Sequence, residues 1–166
     1  MCNFAILPLK TKQRGPAPTA PDSDQDDIID EAISLYRANS FFRNFEIKGP
    51  ADRALIYLIL YIQECLVKLS VKLPNLNEGQ KLLAIHATSN FALPGDVNFP
   101  LNAMYDKPSN KADADFLKQY LAQLRQETSL RLATRVYEQG QDDKPSKWWV
   151  CFSKRKFMNL PGIGTL

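Results

Sequence analysis

The sequence predicts an all-α protein: a compact bundle of about five helices, one of them central and surrounded by the others, with an extended proline-rich arm at the N-terminus. Three observations point there. Apolar residues recur at helical spacing in long tracts bounded by capping and breaking residues. The run ALIYLILYI, Ala54 to Ile62, is apolar on every face, as an enclosed helix must be. Only WWVCF, Trp148 to Phe152, reads as a strand, and nothing else in the chain offers a strand to pair with it. A length of 166 residues suits one domain spanning 1–166 with a real core.

Residues 1–21 carry four prolines and little periodicity, so they should run as an extended arm over a surface, with FAILPL too apolar to float free. In DSDQDDIIDEAISLYRANSFF, acidic residues crowd the start of a helix and Ile28, Ala32, Leu35 and Tyr36 form its apolar side. FRNFEIKGP closes that helix. Pro50 then opens a long one that runs to about Leu73 and stops at Pro74.

NEGQKLLAIHATSN can form a short third helix. FALPGDVNFPLNAMYDKPSN is a long connection that its own Phe and Leu side chains, or a partner, must hold in place. Asn110 caps a fourth tract with Leu117, Leu121, Leu124, Thr128 and Leu132 along one side; the weak helix formers Thr128 and Ser129 are a candidate break, and Gly140 ends it. DDKPSKWWVCFSKRKFM reads as helix or strand. Helix is favoured, capped by Asp143 or Ser146, with Trp148 and Phe152 sharing a face. Residues 160–166, LPGIGTL, are expected to be a mobile tail.

The chemistry sought along the chain is mostly absent. His86 is the single histidine and has no second ligand or nucleophile to work with, so a hydrogen-bonded helix residue is expected. Asp22, Asp24 and Asp26 alternate like calcium ligands, but the glycine and terminal glutamate of such a loop are missing. No spaced glycine run precedes Lys-Ser or Lys-Thr, so no nucleotide site is indicated, and no cofactor or metal is expected. Cys2, Cys65 and Cys151 are few, odd in number and far apart, which fits reduced thiols and a cytosolic location better than a disulfide framework. Cys65 should act as a small hydrophobe. Cys151 has basic neighbours of the kind that favour a reactive thiol, but no acid or base partner for a thiol enzyme.

A net charge of +3 is far from the dense positive field that drives non-specific nucleic-acid binding. The apolar run Ala54–Ile62 is about half of the roughly 20 residues a membrane span needs and is expected to be core. The start of the chain has neither the basic leader nor the apolar stretch of a signal peptide.

KPSKWWVCFSKRKFMN therefore stands out, with two tryptophans among five basic residues. Adjacent positions on a helix diverge, so one tryptophan should enter the core while the other faces outward or meets a partner. Aromatics and arginine are enriched at protein contacts. The candidate partner interface is Lys147, Trp148, Trp149, Phe152, Lys154, Arg155 and Phe157, with Lys156 in the same charge run. The alternative is a basic single-stranded nucleic-acid module that stacks bases on Trp148 and Trp149.

Several stretches carry a resemblance: NFAILPLKTKQRGPAP, DIIDEAISLYRANSFFRNFEIKGPADRALIYLILYIQECL, FPLNAMYDKPSNK, YLAQLRQETSLRL and DKPSKWWVCFSKRKFMN. Together they resemble subunit 3 of the actin-related protein 2/3 complex, in order and over nearly the whole chain. KLPNLNEGQKLLAIHATSN follows that pattern only loosely. The resemblance implies a small all-helical, non-catalytic subunit of a seven-subunit assembly that nucleates branched actin filaments. It implies contact chiefly with the actin-related protein 3 subunit, a place beside the actin filament in the branch, and no membrane or nucleic-acid partner. It further implies a cytoplasmic location on the actin cytoskeleton, in cortical patches or cell projections.

Overall fold

A computed structural model describes residues 2–22, 24–40 and 45–163. Its elements are all helical: α1 (Ile28–Asn39), α2 (Pro50–Lys72), α3 (Leu76–Thr88), α4 (Lys111–Glu138) and a short α5 (Lys147–Val150) that tightens into a 3-10 turn at Cys151–Lys154. No sheet forms among the described residues; one isolated bridge pairs Leu9 with Thr19 inside the arm.

α1 begins later than the acidic run. Asp27 caps it, its carboxylate accepting from the Asp30 N–H at 3.0 Å while the Asp30 carboxylate accepts from the Asp27 N–H at 3.3 Å. Asp22, Asp24 and Asp26 thus precede the helix rather than fill its first turn. Its buried face is Ile28, Ile29, Ala32, Ile33 and Tyr36. Leu35, expected in that stripe, is 42% exposed. Ile29 and Ile33 centre the stripe on their own side of the helix and leave Leu35 at its margin. Phe41 to Asn44, at the junction of the expected helix and the segment expected to close it, lie outside the described residues.

α2 is the central helix. Every residue from Ala54 to Gln63 is buried, and α1, α3, α4 and α5 all pack on it. It is long and apolar enough to cross a bilayer, with a mean hydropathy of 1.7, yet the chain's own helices cover its central stretch. Pro50 occupies its first turn and Leu73 ends it in the left-handed conformation, just before Pro74.

Asn75 caps α3 by accepting from the Glu78 N–H at 2.9 Å. The connection that follows is held from inside, as its composition predicts: Phe91, Phe99, Leu101 and Tyr105 are buried, and the Tyr105 hydroxyl donates to the Arg53 carbonyl at 2.5 Å. α4 is unbroken at Thr128 and Ser129. Both residues point inward, and the Ser129 hydroxyl is bonded to the Tyr61 hydroxyl at 2.5 Å, so tertiary contact outweighs weak helix propensity. Leu117, Leu121, Leu124, Thr128 and Leu132 are buried together.

The arm crosses α1 and α4 with Phe4 and Leu9 buried. The Tyr120 hydroxyl accepts from the Leu7 N–H at 2.8 Å and donates to the Leu7 carbonyl at 2.9 Å. Further along, Arg131 gathers Asp27 at 2.6 Å, Glu127 at 2.9 Å and Asp30 at 3.1 Å, and also donates to the Lys10 carbonyl. The Asp27 carboxylate receives the Lys10 N–H at 3.0 Å.

Burial alone would raise the Asp27 pKa. The Arg131 guanidinium and the Asp30 and Lys10 amides outweigh it and hold the carboxyl below its ordinary 3.8. A depressed carboxyl contributes stability that is present above its unfolded value and is lost as pH falls through its folded value. Asp27→Asn should therefore cost about 1.5–3 kcal/mol at neutral pH. The gap from the parent should shrink below the ordinary value of 3.8. Denaturant melts across pH check this.

Candidate protein interface

The turn that delivers the C-terminal element is set by Gly140, where a Cβ would come within 1.9 Å of the Lys144 carbonyl oxygen. Asp142 and Asp143 then take positive φ. Ser146, rather than Asp143, caps α5, its hydroxyl accepting from the Trp148 N–H at 3.3 Å. The Asp143 carboxylate instead accepts from the Leu76 N–H at 3.2 Å.

That start sets the helical phase, and the two tryptophans part company. Trp149 is 1% exposed and Trp148 is 74% exposed. The Trp149 ring stacks on Tyr36 at 6.3 Å and lies under the Arg37 guanidinium at 4.8 Å, and its Nε1–H donates to Gln139 at 2.8 Å. Phe157 is also inside, edge-on to Phe45 at 5.9 Å, with its N–H donating to Gln63 Oε1 at 2.9 Å. Two of the seven interface candidates, Trp149 and Phe157, thus sit in the chain's own core. Phe152 is half-buried against Tyr36, at 6.3 Å, and does not share a face with Trp148. The helix tightens to a 3-10 turn at Cys151, which breaks the i to i+4 alignment that a continued α-helix would give.

Lys147, Lys154, Arg155 and Lys156 are exposed. Trp148 borders a cleft of about 610 Å³ between the end of α2 and the Gly140 turn, with Leu73, Asp142, Lys144, Lys147 and Cys151 among its lining. Burial of Trp149 removes one of the two platforms that base stacking needs.

Underneath, α2 holds Leu160 and Ile163. Gln63 Nε2 donates to the Leu160 carbonyl at 2.7 Å. Glu64 Oε1 accepts from the Ile163 N–H at 2.8 Å, while Glu64 Oε2 is bonded to His86 Nε2 at 3.0 Å. Within the expected tail, Ile163 is fully buried; Gly164 to Leu166 lie outside the described residues. His86 also stacks on Tyr61 at 5.5 Å, so it is a satisfied core histidine. Burial pushes the Cys65 thiol up to about 12, as suits an inert core residue.

Sequence reasoning took Glu64 only as the end of the apolar run and passed over Arg125. Gln63-Glu64 interrupting an apolar helix was a readable signal for the first. Arg125 gave none, because a charged residue beside Leu124 reads as solvated.

Residues 1–161 match the family described as P21-Arc: ARP2/3 complex ARPC3 (21 kDa) subunit. Actin-related protein 2/3 complex subunit 3 of Schizosaccharomyces pombe is 55% identical over 157 residues, 95% of this chain and 88% of that protein. Its Saccharomyces cerevisiae counterpart is 51% identical over 159 residues, 95% of this chain and 88% of that protein. The probable subunit 3 of Caenorhabditis elegans is 50% identical over 163 residues, 98% of this chain and 86% of that protein. The chain belongs to the family of 21 kDa ARP2/3 complex subunits.

Proposed function

We propose that this chain is a non-catalytic structural subunit that helps assemble and brace the actin-related protein 2/3 complex, mainly by contact with the actin-related protein 3 subunit. In that role it supports nucleation of branched actin filaments on the cytoplasmic actin cytoskeleton, in cortical patches or cell projections. It needs no cofactor and engages neither membrane nor nucleic acid. Family membership across residues 1–161 is the observation that carries the reading.

The contact surface consists of the outward residues of the C-terminal element: Lys147, Trp148, Lys154 and Arg155. A large exposed aromatic ringed by cations suits an apolar anchor with a charged rim. Electrostatic complementarity would then steer an acidic partner surface onto it.

Add-back tests the reading. Branches are counted by fluorescence microscopy with an assembly prepared without this chain, before and after the purified chain is supplied. Branch number should rise on addition, and a Trp148→Ala, Lys154→Ala variant should need a higher concentration to match it. An unchanged count would contradict the reading, as would ATP turnover by the isolated chain.

A further inference from the structure

The end of α2 and the start of α5 form one surface, although 75 residues separate Leu73 from Trp148 in the chain. Leu73 holds φ 49° and ψ 57°, the left-handed region where glycine or asparagine is at ease and leucine is strained. There its N–H caps α2 on the Leu69 carbonyl at 3.1 Å, which leaves the side chain 41% exposed at the wall of the cleft. Trp148 lines the same cleft at 74% exposure, and Val71, two residues before Leu73, is 75% exposed.

The cleft lining is net positive among the described residues, with Lys144 and Lys147 against Asp142. Beside the lining, Lys72 flanks Leu73 and Glu138 flanks Gln139. Asp143 is turned toward α3, where it receives the Leu76 N–H.

We propose that this cleft seats an acidic, extended segment of a neighbouring subunit, with one apolar side chain laid between Leu73 and Trp148 and carboxylates meeting Lys144 and Lys147. The proposal rests on the assembly role above and adds the end of α2 to the contact surface. The concave shape favours a chain segment over a lipid surface. Trp148 shares that hollow with Leu73, Lys144, Lys147 and the Gly140 turn, and a chain segment can enter a hollow that a flat bilayer face cannot line.

Cys151 is exposed and lines the cleft, so it reports occupancy without any substitution; buried Cys65 serves as the unreactive control. The chain alone, and the chain within an assembly co-expressed with its other subunits, are treated with a maleimide, and labelling at Cys151 is followed by mass spectrometry. Cys151 should label readily in the free chain and lose most of that labelling in the assembly. A Lys144→Glu, Lys147→Glu variant that keeps its helical circular dichroism should associate about tenfold or more weakly. Leu73→Asn, which suits the left-handed backbone but removes the apolar wall, should also weaken association while the free chain stays folded.

Equal labelling of Cys151 in the free chain and the assembly would overturn the proposal and leave the assembly role standing. Protection of the free chain by vesicles rich in phosphatidylserine would overturn it in favour of a lipid occupant. Failure of the parent chain to join any assembly would remove the role and the proposal together.

Discussion

Arg125→Ala is expected to destabilise the chain by about 3–5 kcal/mol, the range for truncating a large buried side chain that also makes charge-assisted hydrogen bonds. In a protein of this size that corresponds to a fall of roughly 6–20 °C in Tm. Arg125 is fully buried. Its Nε–H donates to the Ala87 carbonyl at 3.2 Å and its Nη2–H to the His86 carbonyl at 2.8 Å, so it closes the last turn of α3 from within the core. The guanidinium also lies over the Tyr61 ring at 4.5 Å and the Phe91 ring at 4.4 Å. Truncation takes a donor from the Ala87 carbonyl, leaves the His86 carbonyl with the Ser89 hydroxyl at 2.8 Å, opens a cavity, and loses a cation that favours the negative end of the α3 dipole. Arg125→Lys should recover little, because a point-charge ammonium cannot span both carbonyls while lying flat between two rings. Thermal melts followed by circular dichroism read both variants; a Tm within 3 °C of the parent for Arg125→Ala, short of the roughly 6 °C fall expected, would refute the assignment.

The two tryptophans should behave oppositely. Trp149→Ala is expected to cost about 3–5 kcal/mol, as for a fully buried aromatic. The ring's contacts with Tyr36, Arg37 and Gln139 join α1, α4 and α5, so its loss loosens the C-terminal element where it meets the bundle. Trp148→Ala should change stability by no more than about 0.5 kcal/mol, since most of that side chain already faces water. Under the proposed contact surface, its effect falls on association instead. Urea denaturation of the two variants side by side separates core from interface, and equal losses would show that the assignment of the pair is wrong.

Much of the fold was legible because local rules and tertiary packing agree. Pro50, Pro74 and Asn110 mark helix ends that the structure keeps, and the all-round apolar run Ala54–Ile62 is enclosed as its pattern demands. The misses come where distant residues decide. Leu35 lies at the margin because Ile29 and Ile33 turn α1, and α4 continues past Ser129 because the hydroxyls of Ser129 and Tyr61 are hydrogen-bonded to each other. Arg125 is buried because two rings and a helix end wait for it, and none of these is near it in sequence.

At the C-terminal element, the rule that adjacent tryptophans diverge was readable from KWWV. Which of them goes inward was not, since the phase depends on the Gly140 turn and the Ser146 cap. The same dependence placed Phe157 under Phe45 instead of at the surface.

The most direct test is the native mass of whatever is recovered from cytosol through a tag on this chain. The account predicts an assembly in which the chain stands one to one with actin-related proteins 2 and 3. Recovery of a folded monomer, with neither actin-related protein present, would contradict it.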